Sequence, residues 1–210
     1  MEKHTDLVDL SGYPKRIELS DGTRAWLRPM RKNDLDRLLT FFEELPARNR
    51  QFFKHDVTRR EVIADWCRDL DYDRVLPILA VVGKGKQERV VADATLHTDR
   101  HGWATHVARV RWVVARDMIE RGLGRIILRD LLERAAARGI QKIQADIRAD
   151  NQKAVKLLRR LGFRKEATFR KHAMSSRGRL HDVLIYANNM DDLWQKMEDL
   201  NIDSDWFMMP

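Results

Sequence analysis

The segments VARVRWVV (residues 107–114) and RGLGR (residues 121–125) decide the fold of this chain. The first is a β-branched run that predicts a strand, and the glycines of the second predict a turn into a helix. The first amides of a helix have no partner within it and lie at the positive end of its dipole, so they suit a phosphate group. The sequence therefore predicts a phosphate-binding turn between residues 120 and 125.

The segment that follows predicts a helix, a strand and a second helix. Apolar residues recur from Leu123 to Ala135, and Gly139 supplies a stop. Residues 142–147 then read as a strand that is reached through a helical crossover, and a strand of that kind is parallel to its predecessor. Asn151 begins the second helix, which ends near Gly162.

Hairpin signals flank this central unit on both sides. Asp21-Gly22 separates two alternating segments near the start, residues 75–82 and 89–96 read as two strands, and residues 163–173 and 180–187 read as a closing hairpin. One helix begins at Asn33 or Asp34, and a second helical region runs from Pro46 toward Trp66. These elements together predict a mixed sheet with helices on both faces.

The two glycine-containing blocks resemble those of a known family. RGLGR followed by Asn151-x-x-Ala154-x-x-Leu157-Leu158-x-x-Leu161-Gly162-Phe163 resembles the signature blocks of the GNAT superfamily of acyl-CoA-dependent N-acyltransferases, especially bacterial protein-acetyltransferase-like members. The resemblance implies an α/β (α+β) fold. Its central sheet would be mixed and mostly antiparallel, with about seven strands, helices on both faces and a splay between the two central parallel strands.

The resemblance covers roughly residues 16–187, which we take as the acyltransferase domain. Residues 1–15 form an N-terminal tail, and residues 188–210 form a C-terminal helix followed by the apolar segment WFMMP (residues 206–210). That segment is too short to fold alone, so we expect it to dock on the domain or on a second copy of the chain in a homodimer.

The resemblance also implies a binding site for acetyl-CoA as co-substrate. The backbone of Trp112, Val113 and Val114 would hold the pantetheine arm, and Asn151 would contact the pantetheine or the leaving group. The pyrophosphate would lie on the amides of the turn, which comprises Glu120, Arg121, Gly122, Leu123, Gly124 and Arg125.

Two positions depart from the family pattern. The position of a tyrosine that often protonates the departing thiolate is Leu158, and the position of a glutamate base is Arg109. CoA binding is therefore better supported by the sequence than transfer is. A CoA-binding regulatory domain without catalysis is the alternative.

Strand alternation suggests what could replace these groups. It places three sets of side chains on one face of their strands: Asp93, Thr95 and His97; Arg109 and Arg111; and Gln144, Asp146 and Arg148. If the three faces coincide, this charged layer forms an acceptor pocket. Arg109 and Arg111 would then face an acidic or carboxylate-bearing substrate, and Asp146, Asp93 or His97 would move the proton. The alternative is a structural salt-bridge network, or side chains that face solvent at a sheet edge.

Composition limits the classes of partner and compartment. The chain has 40 Lys and Arg against 32 Asp and Glu, a net charge of +8 that favours polyanions such as CoA or nucleic acid. The cations on the helix after Asn151 have no aromatic residues interleaved for base stacking, so nucleic acid is an unlikely partner. There is no membrane-length apolar run and no secretory signal, which makes the cytoplasm the default.

The cysteine and the histidines give weak signals. Cys67 is the single cysteine, and a packing role is favoured over a nucleophile because no partner motif accompanies it. The seven histidines show no metal-ligand spacing, so we expect no metal. The sequence thus predicts an N-acetyltransferase that moves acetyl from acetyl-CoA to a primary amine in a ternary complex. Protein lysine, a protein N-terminus and a small amine all remain open as acceptors.

Overall fold

The computed structural model describes residues 9–50, 53, 55–175 and 177–192. Its centre is a single sheet of eight strands, one more than the sequence suggested. The strands are β1 Lys15–Glu18, β2 Arg24–Pro29, β3 Val75–Val82, β4 Arg89–Thr98, β5 Val107–Val114, β6 Lys142–Arg148, β7 Arg164–Met174 and β8 Leu180–Asn189.

The strands lie in the order β1-β2-β3-β4-β5-β6-β8-β7, and β5 and β6 form the one parallel pair among them. This pair is joined by the helical crossover that the sequence predicted, whereas the other neighbours pair antiparallel. The mixed, mostly antiparallel sheet is therefore confirmed.

Five α-helices of four or more residues accompany the sheet in the described ranges. They are α1 Leu35–Glu44, α2 Ala47–Arg50, α3 Arg60–Arg68, α4 Leu123–Ala137 and α5 Gln152–Arg160. The helical region expected from Pro46 to Trp66 is wrong as a continuous element, because it is split into α2 and α3. The guanidinium of Arg50 donates to the carbonyls of Glu43 and Leu45, so the end of α2 folds back onto the end of α1.

The helices cover both faces of the sheet. Helix α4 packs on β4 and β5, on the face that carries Trp112 and Val114. Helix α1 packs on β4 and on α3, and α3 brings Cys67 close enough to Asp93 for their charges to interact. The pairing of β4 with β5 shows which residues of β4 lie on each face. Ala94 lies opposite Trp112 and therefore faces α4, whereas the adjacent Asp93 faces α1 and α3.

A splay opens between β5 and β6. The two strands pair only from residues 107–109 to residues 142–144. Beyond that point β5 stays paired with β4 as far as Val114, and β6 stays paired with β8 as far as Arg148. The described structure places no strand between them, so the expected splay is confirmed and the backbone of residues 110–114 has an open side.

The end of the chain is only partly described. Residues 190–192 are helical, as expected for the start of the C-terminal helix. The rest of that predicted helix, the apolar segment WFMMP and residues 1–8 lie outside the described residues. In the described part, no helix is both long and apolar enough to cross a membrane.

Candidate active site

The glycine turn lies between β5 and α4 in a left-handed backbone conformation. Gly122 is the N-cap of α4 and has a φ of 80°, and Glu120 has a φ of 69°. No side chain caps α4, so its first amides are left for another acceptor. A carbonyl of the turn also holds the first hairpin, because the amide of Ser20 donates to the oxygen of Arg121 at 3.2 Å.

Gly124 lies in the first turn of α4, next to β5. A Cβ atom at this position would contact Leu157 at 3.6 Å, Val114 at 3.7 Å and the indole nitrogen of Trp112 at 4.0 Å. These are ordinary van der Waals distances, so the packing around α4 has room for a Cβ atom and does not by itself require a glycine here. The same packing places the Trp112 indole N–H beside the turn, a donor that the sequence analysis missed because it considered only the backbone of Trp112.

The start of α5 borders the same turn. The Asn151 side-chain oxygen accepts from the Ala154 amide at 3.3 Å, so Asn151 caps α5 as well as lining the cleft. On the outside, Lys153 pairs with Glu120 at 2.8 Å and connects α5 to the glycine turn. Lys156 and Arg160 also line this side, which surrounds the turn with positive charge.

A single cleft of about 2850 Å³ runs through the splay. On the α4 face it is lined by the glycine turn, and on the opposite face it is lined by the charged layer. The unpaired backbone edge of β5 at Val113 lies between these two linings of the cleft. The cleft therefore has room for a long ligand that reaches from a phosphate site at the turn to a reaction site on the other face.

The charged layer does form one surface, because the three strand faces coincide. Thr95 lies opposite Arg111, and Arg109 lies opposite both His97 and Gln144. All members of the charged layer therefore lie on the face of the sheet that α1 and α3 cover.

Most members of the layer have partners. Asp146 contacts Arg109 at 3.5 Å and accepts from the Gln144 amide at 2.8 Å. Arg148 pairs with Asp150 at 2.6 Å, and His97 shares a 3.0 Å hydrogen bond with Thr95. A salt-bridge network, one of the alternatives raised by the sequence, accounts for these residues.

Asp93 is different. It is only 6% exposed, and its Oδ1 atom is buried without a hydrogen-bond partner among the described residues. Burial raises the pKa of this carboxyl to about 7, and among the described residues no charge–charge interaction contributes to the shift. A carboxyl with this pKa, at the edge of a cleft, has the properties expected of a general base near neutral pH.

Arg111 is the second member without a partner. It lines the cleft, and within the described part of the chain its guanidinium makes no hydrogen bond or ion pair. Burial lowers its pKa, the charge of Arg109 adds to this effect and the charge of Asp146 opposes it. Arg109, by contrast, is neutralised by Asp146.

Neither Leu158, at the position of the family's tyrosine, nor Cys67 offers an acid or a nucleophile to the cleft. Leu158 is completely buried on the inner side of α5, so it cannot reach a departing thiolate. Cys67 is buried as well, and burial together with the charges of Asp34 and Asp93 raises its pKa to about 11. Its thiolate is therefore disfavoured, and the packing role is the better interpretation.

The acceptor side also has an apolar wall that the sequence did not reveal. Phe53 and Trp66 line the cleft, and both rings make edge-to-face contacts with Phe42, at 5.3 Å and 6.0 Å between centroids. Phe169 of β7 also lines the cleft, and its ring contacts the His172 ring in a tilted arrangement with 5.1 Å between centroids. Aromatic residues of this kind have the same sequence pattern as core residues, which is why they gave no signal.

In the described residues, no group of three His, Cys, Asp or Glu side chains is arranged to hold a metal ion.

Comparison with known proteins bears on the same regions. The sequence model of the acetyltransferase (GNAT) family matches residues 39–163, more than half of the chain. This range includes the glycine turn, α4 and α5. A search among curated proteins finds no match.

Solved structures with this architecture are numerous. The structure resembles Mycobacterium smegmatis RimJ in complex with CoA-disulfide, with a TM-score of 0.70, 21% identity, and 87% of this chain and 90% of that chain covered. For the GNAT domain of S. lividans PAT the values are 0.68, 18%, 83% and 95%. For the ribosomal-protein-S5-alanine acetyltransferase from Vibrio fischeri they are 0.68, 16%, 80% and 94%. At these identities the likeness concerns the fold.

Proposed function

This chain belongs to the acetyltransferase (GNAT) family and is an acyltransferase, and we propose that it transfers an acetyl group from acetyl-CoA to a primary amine. The observation that carries the proposal is the cleft through the splay. It connects the glycine turn on one face of the sheet with the buried carboxyl of Asp93 on the other.

The residues around the cleft fit a CoA thioester. The uncapped amides at the start of α4 suit the pyrophosphate, and the Trp112 indole and the cations of α5 add donors and positive charge. The open edge of residues 110–114 suits the pantetheine amides, which can hydrogen-bond to a strand edge. The thioester end would then lie at the splay, next to the charged layer.

On the acceptor side, Asp93 performs the proton transfer. The neutral amine attacks the thioester carbonyl carbon, so that a C–N bond forms and the C–S bond breaks. The Asp93 carboxylate takes the proton that the amine nitrogen releases, and the electron pair of the C–S bond leaves on the thiolate of CoA. A base with a pKa of about 7 is half ionised at neutral pH, where proton transfer to it is effective.

The departing thiolate needs no acid from Leu158. A free thiol has a pKa of about 8.5, so a thiolate is a competent leaving group and can take its proton from water. His97 and Asp146, the other candidates from the sequence, have partners in the charged layer and are assigned to holding that layer in place.

The experiment that tests the function combines binding and turnover. Calorimetric titration with acetyl-CoA should give a saturable heat, and thiol release should be stimulated by an amine from a panel of lysine peptides, N-terminal peptides and small amines. Absence of any heat at millimolar acetyl-CoA would contradict the proposal.

A matched pair of glycine variants tests the site of binding. Gly122 and Gly102 both have positive φ, and neither has an atom within 4 Å of an added Cβ, but only Gly122 lies in the cleft. Gly122→Ala and Gly102→Ala should therefore lose similar stability, about 1 kcal/mol from backbone strain. Only Gly122→Ala should also weaken binding of acetyl-CoA, by roughly tenfold, because it disturbs the phosphate turn. Equal affinities would place the ligand elsewhere.

A CoA-binding regulatory domain is the second candidate, because Leu158 and Arg109 stand where the family pattern has a tyrosine acid and a glutamate base. Saturable binding of CoA without thiol release for any amine would support this candidate. The buried Asp93, which a regulatory domain does not need, supports the transferase.

A further inference from the structure

The charged layer is unevenly neutralised. Asp146, Arg148 and Arg109 have partners inside the layer or next to it, whereas Asp93 and Arg111 have none among the described residues. A half-buried guanidinium that lines the cleft without a hydrogen bond or ion pair to the described residues can accept the carboxylate of a ligand. The layer thus contains one carboxyl and one guanidinium that the described residues leave without a hydrogen-bond partner.

The two unmatched groups lie close together. Arg111 is opposite Thr95, and Asp93 is two residues along the same strand from Thr95, on the same face. Diagonal neighbours of this kind in an antiparallel pair are about 7–8 Å apart. Both residues line the acceptor side of the cleft.

We propose that Arg111 binds a carboxylate of the acceptor, so that the substrates are amines that carry a carboxylate near the reacting nitrogen. This rests on the proposed function and names its substrate class. The amine nitrogen lies at Asp93 and the carboxylate lies at Arg111, which is the arrangement of an α-amino acid or of an amino-terminal residue next to an acidic side chain. A guanidinium binds a carboxylate through two parallel hydrogen bonds, which also fixes the orientation of the acceptor.

The unmatched charges discriminate against neutral amines. With a neutral amine bound, Arg111 would be cut off from water without an acceptor, and that cost is absent when a carboxylate is present. The aromatic wall formed by Phe53 and Trp66 offers apolar surface for the rest of the acceptor. Amino acids with apolar or aromatic side chains are therefore the best probes.

The test compares each amino acid with its own carboxamide as acceptor, beginning with L-phenylalanine and L-phenylalaninamide. The carboxamide has the less basic amine, so more of it is neutral and reactive at a given pH. A preference for the free acid therefore opposes intrinsic reactivity. We expect kcat/KM for the acid to be roughly 10- to 100-fold higher, as expected for a charged hydrogen-bonded pair.

Variants assign the preference to Arg111. Arg111→Gln should raise KM for the acid roughly 10- to 100-fold and bring kcat/KM for the acid and the carboxamide to similar values, and Arg111→Lys should restore part of the preference for the acid. Arg16→Gln removes an exposed arginine of β1 that does not line the cleft, and it should leave both substrates unaffected. A thermal melt of each variant verifies folding.

The outcomes separate the two proposals. Transfer to acids and carboxamides with equal efficiency, or an equal loss of both in Arg111→Gln, overturns the carboxylate site and leaves the transferase standing. Absence of transfer to any amine removes both.

A second set of acceptors, made of peptides, identifies the source of the carboxylate. Peptides with Asp as the second residue are compared with otherwise identical peptides with Asn. A preference for Asp that is lost in Arg111→Gln supports the site with a protein substrate, and a preference confined to free amino acids supports it with a small-molecule substrate.

Discussion

Two buried aspartates on neighbouring parts of the same sheet face have opposite environments. Asp34, at the start of α1, is fully buried, and both of its oxygens accept from the Arg28 guanidinium at 2.7 Å. The amide of Arg31 donates to it at 2.8 Å. Asp93, in β4, is 6% exposed and has no such partner.

The sheet register explains how close these environments are. Arg28 lies opposite Leu79, and Leu79 lies opposite Asp93, so the three residues form one row on the same face. Arg28 and Asp93 are two strands apart in this row, so their backbones are about 10 Å apart. The fully buried Leu79 fills the space between them, and the guanidinium instead turns to Asp34 and Glu88.

The pKa values record the difference. Burial alone would raise the pKa of Asp34, but the hydrogen bonds from Arg28 and the Arg31 amide, with the charges of Arg28 and Arg37, lower it. Burial without a partner raises the pKa of Asp93 to about 7. A paired buried carboxylate holds the structure together. An unpaired one beside a cleft costs stability, and function is the reason to keep it.

The largest expected effect concerns catalysis. Asp93→Asn removes the proposed base at nearly constant shape, so kcat/KM for amine acetylation should fall roughly 10²- to 10⁴-fold. Calorimetric affinity for acetyl-CoA should stay the same, because Asp93 lies on the other face from the glycine turn. Steady-state kinetics measures the loss. Undiminished turnover would make Asp93 a structural residue like Asp34.

The next effect concerns stability. Asp34→Asn leaves the buried Arg28 without its main counter-charge and should lower the free energy of unfolding by about 3–5 kcal/mol in urea denaturation. Glu88→Gln, which removes a charge from the more exposed partner of the same guanidinium, should cost about 1 kcal/mol. Equal losses in the two variants would show that the stability contributed by an ion pair with Arg28 does not depend on how deeply the carboxylate is buried.

The remaining prediction concerns the pH dependence of stability. The carboxyl of Asp93 binds its proton more tightly in the folded chain than in the unfolded one, where its pKa is about 3.9. Its favourable contribution is therefore complete below pH 4 and is lost as the pH rises to about 7, by up to about 4 kcal/mol. The neighbouring Cys67 titrates at about 11 and does not interfere.

Urea denaturation of the wild type and of Asp93→Asn at several pH values isolates this contribution. The stability difference should grow between pH 4 and pH 7 in favour of the variant and then level off. A difference that is independent of pH would contradict the raised pKa.

Much of the fold was predictable because it depends on local pattern. The alternation of β4 and β5, the glycines at 122 and 124 and the crossover to β6 each need only neighbouring residues to specify an element. The helical pattern between Pro46 and Trp66 did not reveal that residues 55–59 are non-helical, or that the Arg50 side chain donates back to carbonyls at the end of α1. Asn33 or Asp34 was expected to cap α1, and Asp34 is the N-cap residue. Its side chain makes no cap hydrogen bond there and pairs with Arg28 instead.

The sequence by itself determined the family, the phosphate turn and the fact that charged side chains share one face of the central strands, because strand and helix periods fix these features. Only the tertiary structure decided which of those charges are neutralised. Pairing depends on the register of strands and on what the helices bring above them, down to a few ångströms. That is why Asp146 and Arg109 could not be distinguished from Asp93 and Arg111 before the fold was known.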